Sequence, residues 1–444
     1  MVRISVMTGR IARLDRRELV AGLGVAILAP GLTRIAAAEA REPLALQAKA
    51  GTLALRPGEP DTAVWSLQGG PDRHFRFKRG DQFELTLENG LPGPTVLSWH
   101  GIGVPTAAPL TGRGPLAPGA GESVVIPLRQ AGTFVCDLRL LGDGQPRPSA
   151  ARALVVAESE PAAVDRDEVF LIEDWRLRAD GAALAPGLDP GDTKAVYTVN
   201  GLISPDIPVR THERLRFRFI NGCQRTVIGL KIEAHDVRVM ALDSQPAEPF
   251  LARAGAIVLA PGARADVFID AAVPPGSSSP ILLHDGTAAR PIARVVASGE
   301  PALRNSLLPD PAPLPSNGLP AQLDLKNALR FDLPLGGPPT DWVRPANFAM
   351  SAAPAFRAKA GRAVVLALAN RAEFPIVFHL HGHHFRVLDR LDDGWKPFWL
   401  DTLAIGGGQT QRIAFAAEHA GRWLLESMAT DWAAPRLVRW YSVD

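Results

Sequence analysis

Cysteine is nearly absent from this chain: among 444 residues only Cys136 and Cys223 carry a thiol. A disulfide-built scaffold is thereby excluded, and at most one bridge can form. Each cysteine sits in an apolar, strand-like run, and the two runs fall in different predicted domains, so two buried unpaired thiols are expected ahead of one bridge. An excess of charge is missing too. The formal net charge is +2, with Lys/Arg and Asp/Glu nearly balanced, which leaves no basic stripe of the kind that neutralises a phosphate backbone and excludes nucleic acid as the expected partner. Several catalytic signatures are also lacking: the phosphate-binding G-x-x-x-x-G-K-[ST] loop, the G-x-S-x-G elbow and the H-E-x-x-H zinc helix. The longest apolar block, Leu19–Leu32, falls short of the ~20 residues a membrane span requires.

That block belongs instead to a processing segment. Paired Arg16 and Arg17 precede it and small residues at Ala36–Ala38 follow, the order of a twin-arginine export signal, although Asp15 and Leu19 depart from the usual motif. Residues 1–40 are read as the signal, with a mature periplasmic chain starting near Glu39 or Arg41. The remainder is turn-rich and β-rich. Short alternating runs such as "FELTLEN" and "RFRFIN" recur between Pro and Gly turns, and tyrosine and methionine are scarce.

One pattern occurs three times: "KRGDQFELTLENG", "RTHERLRFRFING" and "KAGRAVVLALANR", in which a turn and an alternating strand lead to Asn89, Asn221 and Asn370. A Gly-rich turn, a second alternating strand and a final apolar strand follow each copy. Three β-sandwich units account for this, with linkers near Glu158–Glu168 and in the Pro-rich Leu308–Gln322 stretch. The predicted domains are 41–160, 161–308 and 309–444.

Three such units, with "LSWHG" in the first and "FHLHGHHF" (Phe378–Phe385) in the last, resemble the multicopper oxidases. "IEDWRL", "YTVNG", "LAPGARADVFID" and "WLDTLAI" extend the likeness over essentially the whole mature chain. The resemblance implies an all-β fold of three tandem cupredoxin-like Greek-key β-sandwich domains. It also implies four copper sites: one blue copper held by Cys and two His, and a three-copper cluster held by eight imidazoles.

Laid onto this sequence, the family's motifs are incomplete. His-Trp-His-Gly reads Ser98-Trp99-His100-Gly101. The His-x-His after a Gly-Thr-Phe strand is replaced by Asp137, Leu138 and Arg139. In the third motif Ile376 stands at the blue-copper histidine, with His379 and His381 retained as cluster ligands. The last motif, His-Cys-His, aligns with Glu426, Ser427 and Met428, with Trp432 and Leu437 at the final His and Met, and no Cys or His occurs beyond His419.

The resemblance therefore implies a metal site built at most from His100, His379 and His381, with Asp137 and Glu426 as possible oxygen donors, holding a single copper or zinc ion or none. His383 could substitute if its strand runs straight through Gly382. Alternatively the histidines are hydrogen-bonded relics, with Arg139 filling the cavity in an ion pair with Asp137 or Glu426. The other histidines are read as surface or core-satisfying. No catalytic residue is assigned. Two functions remain open: a copper-poor envelope binding or scaffold protein with envelope-protein partners, similar to the twin-arginine-exported cell-division members of the superfamily, or a residual copper- or zinc-binding oxidoreductase.

Overall fold

In the computed structural model, which describes residues 42–70, 74–336, 341–389 and 394–444, six sheets pack face to face in three pairs. The predicted export signal lies outside the described residues. In the first sandwich, strands Glu42–Leu53, Thr62–Gly69, Gln82–Asn89 and Gly121–Pro127 oppose strands His74–Lys78, Ser98–His100, Gly132–Asp137 and Arg152–Ala157. Leu46, Phe83 and Leu85 from one sheet meet Phe134, Cys136 and Leu154 from the other in a single core. The second sandwich is built from strands between Arg166 and Ala297, and the third from strands between Leu329 and Val443. Among the described residues helix is confined to short 3-10 turns such as Pro105–Ala107 and Arg139–Leu141. Among the described residues no helix is long and apolar enough to cross a membrane.

Each sandwich opens in the same way. Its first strand pairs in parallel with the strand of the repeated motif: Glu42–Leu53 with Gln82–Asn89, Arg166–Leu177 with Arg214–Asn221, and Leu329–Leu335 with Ala363–Asn370. The terminal Asn of the motif explains why the repeat is visible in the sequence. Asn370 is buried, accepts the amide of Ala372 at 2.9 Å and donates to the carbonyls of Phe374 and Ile405, both at 2.9 Å. Asn221 makes the corresponding bonds to Cys223, Thr226 and Leu259, and Asn89 to Leu91, Gly93 and Leu116. A turn whose backbone faces the core must have its polar groups satisfied, and a side-chain amide is both donor and acceptor.

The three cores run together. Val377 and Met428 of the third sandwich join the core of the second, and Val96 and Leu140 of the first pack on Leu424 and Val438 of the third. Residues Arg41–Asp444 consequently form one compact unit. The Pro-rich linker is tied down by side chains: Asn317 bonds both backbone groups of Ala131 and the carbonyl of Ser244, and Arg214 donates to the carbonyls of Leu308 and Pro309. Cys136 and Cys223 are buried and free, each within its own sandwich.

Substituting Asn370→Ala removes four hydrogen bonds at a buried side chain and leaves the carbonyls of Phe374, Ile405 and Gly406 and the amide of Ala372 without this partner. Urea denaturation should show a loss of about 3 kcal/mol or more; a loss under about 1 kcal/mol would show that the turn re-satisfies itself.

Candidate functional site

Three imidazoles meet where the first sandwich abuts the third. His100 ends the strand Ser98–His100, His379 lies on Ile376–Leu380 and His381 follows directly after it. Side chains at i and i+2 share a face of a strand, which brings His379 and His381 within 4.4 Å, ring centre to ring centre. His100 reaches across to stand 4.4 Å from His379 and 6.2 Å from His381. All three are buried. Cross-strand register supplies the carboxylates: Glu426 is directly opposite His379, and Asp137 is opposite Ser98.

The hydrogen bonds decide what each ring can do. His381 Nε2 meets Glu426 Oε1 at 2.5 Å, and the other oxygen of Glu426 is bound by the Arg436 guanidinium. The Thr402 hydroxyl donates to Asp401 at 2.7 Å. Its oxygen, 2.8 Å from His379 Nδ1, is left to accept the imidazole N–H. This assignment leaves a lone pair on His379 Nε2, which is buried and has no partner. His100 Nε2 faces Asp137 Oδ2 at 3.7 Å, and its buried Nδ1 also lacks a partner.

Charge follows this geometry. Burial pushes His379 far below the usual imidazole range, and the neighbouring His100 and His381 push it further in the same direction. Burial alone would raise the carboxyls of Glu426 and Asp137. Although burial is the largest influence, Arg436 together with His381 holds Glu426 well below its usual range, and the facing His100 with the Arg139 charge brings Asp137 to about 2. Arg436 itself is fully buried and held protonated chiefly by Glu426, with help from Asp143 and Asp137. Among the described residues no group of three or more His, Cys, Asp or Glu side chains is arranged to hold a metal ion.

Two expectations need correction. The arginine in the cluster is Arg436, not Arg139. The Arg139 backbone amide bonds Asp137, but its guanidinium turns away to Glu173 at 2.6 Å and to the carbonyls of Ser149 and Gly222. Arg436 enters because the strand Arg436–Val443 returns antiparallel beside Gly421–Ala429, placing it opposite Met428. The straight-strand condition for His383 also fails. Gly382 adopts φ +81, and an added Cβ would stand 2.2 Å from the Trp423 ring, so the chain bends there. His383 points to the Tyr441 hydroxyl at 2.7 Å and accepts the His419 amide at 3.1 Å.

His384, read as isolated, is buried beside Asp401 and bonds the carbonyl of Asp243. His235 and His284 make local backbone hydrogen bonds, and His212 bonds the sequence-distant carbonyl of Arg304. Where the resemblance locates the blue copper, Ile376 is buried in the third core and the Trp432 indole donates to the carbonyl of Ala185. Met428, aligned with a cluster histidine, is part of the second core.

Three β-sandwiches in series, with an imidazole cluster where the first meets the third, define a cupredoxin-type assembly. Models described as multicopper oxidase match residues 167–277 and 322–444, together more than half of the chain, which belongs to the multicopper oxidase family. It is 23% identical to the multicopper oxidase MmcO of Mycobacterium tuberculosis over 89% of this chain and 88% of that protein. The copper resistance protein A of Escherichia coli is 24% identical over 41% of this chain and 39% of its own. Among solved structures, a multi-copper oxidase from Pseudomonas thermotolerans superposes with TM-score 0.77 at 25% identity, covering 91% of this chain and 100% of that one. The laccase-like oxidase CueO of Ochrobactrum, at 20% identity and TM-score 0.72 over 90% of this chain and 97% of its own, shares the fold.

Replacing Arg436 by Met leaves Glu426 buried without its cation. The variant should lose about 3–5 kcal/mol at pH 7.5. The loss should shrink by pH 5. Burial raises the unpaired Glu426 carboxyl above its unfolded value, so the folded variant takes up a proton as pH falls and regains stability. Urea titrations at both pH values test this, and a penalty independent of pH would overturn the assignment.

Proposed function

We propose that this protein is a copper-poor member of the multicopper oxidase family, acting in the cell envelope as a binding or scaffold protein. In this reading the residues do not fit the four-copper set. The observation that carries it is the buried Arg436–Glu426 pair: a fixed guanidinium stands beside the imidazole cluster, where a second cation would be repelled in a low-dielectric setting. Its support includes the missing thiolate, since Ser427 occupies the aligned position and neither free cysteine lies in the third sandwich. Bound copper in this family would supply one-electron redox chemistry toward oxygen. The residues here hold protons and charge in place instead. The paired arginines at the amino terminus support twin-arginine export to the periplasm, and the role expected there is contact with other envelope proteins.

A second reading, a single copper or zinc ion at His100, His379 and His381, has one observation in its favour: the unpartnered lone pair of His379 Nε2. Neutral imidazole is the form a metal binds, and burial keeps His379 neutral.

Elemental analysis of protein purified from the periplasm of copper-supplemented cells separates the two readings. The copper-poor reading expects well under one equivalent of copper or zinc, no intense thiolate-to-copper absorption and no oxygen consumption with phenols. About one equivalent, lost in His379→Ala, would establish the second reading, and sustained oxygen consumption would refute the first.

A further inference from the structure

A large cleft lies apart from the imidazole cluster, on the face of the second sandwich beside Pro375 and Thr430 of the third. It is an open hollow of about 1050 Å³, at the upper edge of the size class of small-molecule sites. Four cations line it, Arg176, Lys194, Arg225 and Arg290, against one carboxylate, Asp285. That carboxylate is already engaged by Arg290 at 2.6 Å, by the Thr287 hydroxyl at 2.6 Å and by the Tyr197 hydroxyl at 3.1 Å.

The donors are left incomplete. Arg225 is 1% exposed; its Nη2 pairs with Asp143 at 2.6 Å and its Nη1 reaches the carbonyl of Gln224, yet its Nε–H has no acceptor. Arg176 and Arg290 likewise bury an Nε–H without a partner. Arg176 stands over the Trp432 ring at 5.3 Å and Arg290 over Tyr197 at 5.2 Å. Cation–π attraction holds both guanidinium groups at the cleft wall, and Arg290 is also paired with Asp285. These three Nε–H groups are themselves buried, so the cations a ligand in the cleft can reach are the partly exposed Arg176 and Arg290 and the exposed Lys194. The rest of the lining mixes apolar groups, among them Val227, Pro375 and the 73% exposed Val258, with Thr226, Thr430 and His284.

We propose that this cleft binds a small organic anion, a carboxylate or phosphate ester carried on a flat apolar body. The guanidinium edges and Lys194 take the oxyanion through charge-assisted hydrogen bonds, and Val258, Val227 and Pro375 receive the apolar part. The site is independent of the metal content of the protein.

Calorimetric titration of the full chain with 2-naphthoate, and separately with its neutral counterpart 2-naphthalenemethanol, tests the proposal. Naphthoate should bind with one equivalent per chain, and more weakly as salt rises from roughly 20 to 200 mM. The combined Arg176→Gln and Lys194→Gln variant should weaken binding by about tenfold or more with its melting temperature unchanged. Equal binding of the neutral alcohol, wild-type affinity in the variant, or no binding up to about 5 mM would each overturn it. The comparison of acid with alcohol needs no variant and stands even if the double substitution perturbs folding.

Discussion

Arg264 must be neutralised where all three sandwiches meet, and the arrangement of the site depends on how that is done. Its guanidinium is bound by both oxygens of Asp401 at 2.8 Å, and its Nε donates to the carbonyl of Thr133 at 3.1 Å. Asp243 accepts the backbone amides of Arg264, Asp401 and Thr402. One buried cation thus links the first, second and third sandwiches. Such a pair is weak evidence for net stability, because desolvation offsets much of the attraction, but removing either partner strands a charge in the interior. The sandwiches are therefore held to one relative placement.

The imidazole cluster inherits that placement. Asp401 receives the Thr402 hydroxyl, Thr402 receives His379, and the tautomer of His379 is set at the end of the chain. The glycine after His100 fits the same junction: Gly101 has φ +90, and a Cβ there would stand 2.7 Å from Arg264 Nη2. On the other side Arg436 and Glu426 hold His381. Apart from the unpartnered His379 Nε2 and His100 Nδ1, the cluster is a network of paired charge, in which positive charge is supplied covalently by an arginine. Such a network favours one protonation pattern and resists change, as suits a packed joint between domains.

The cleft on the second sandwich has the opposite character. Its guanidinium groups are only partly satisfied, and its one carboxylate is fully occupied. The two regions show how arginine serves either purpose. Matched to a carboxylate in the interior it locks a structure, and at the wall of an open cleft it adds charge that a ligand can reach.

The sequence by itself determined the all-β, threefold repeated character of the chain, because alternation and the terminal Asn of each motif are local: a strand faces two ways, and the turn after it needs an amide within five residues. It also singled out His379 and His381 by their local i, i+2 spacing, and His100 through the likeness of its motif to the family's. Tertiary structure alone decided which arginine joined them, since Arg436 arrives through the register of a neighbouring strand, and it decided that His383 leaves the row, since Trp423 packs against the bend at Gly382. The strand Arg214–Asn221 illustrates the difference. Its alternation of Arg with Leu and Phe reads as a half-buried strand, yet Arg214, Arg216 and Arg218 are buried as deeply as the apolar face. Asp266, Asp167, Glu158 and Asp270 come from distant segments to pair with them. Local pattern specifies which side chains share a face, but only the packing of domains decides whether that face meets water or another charge.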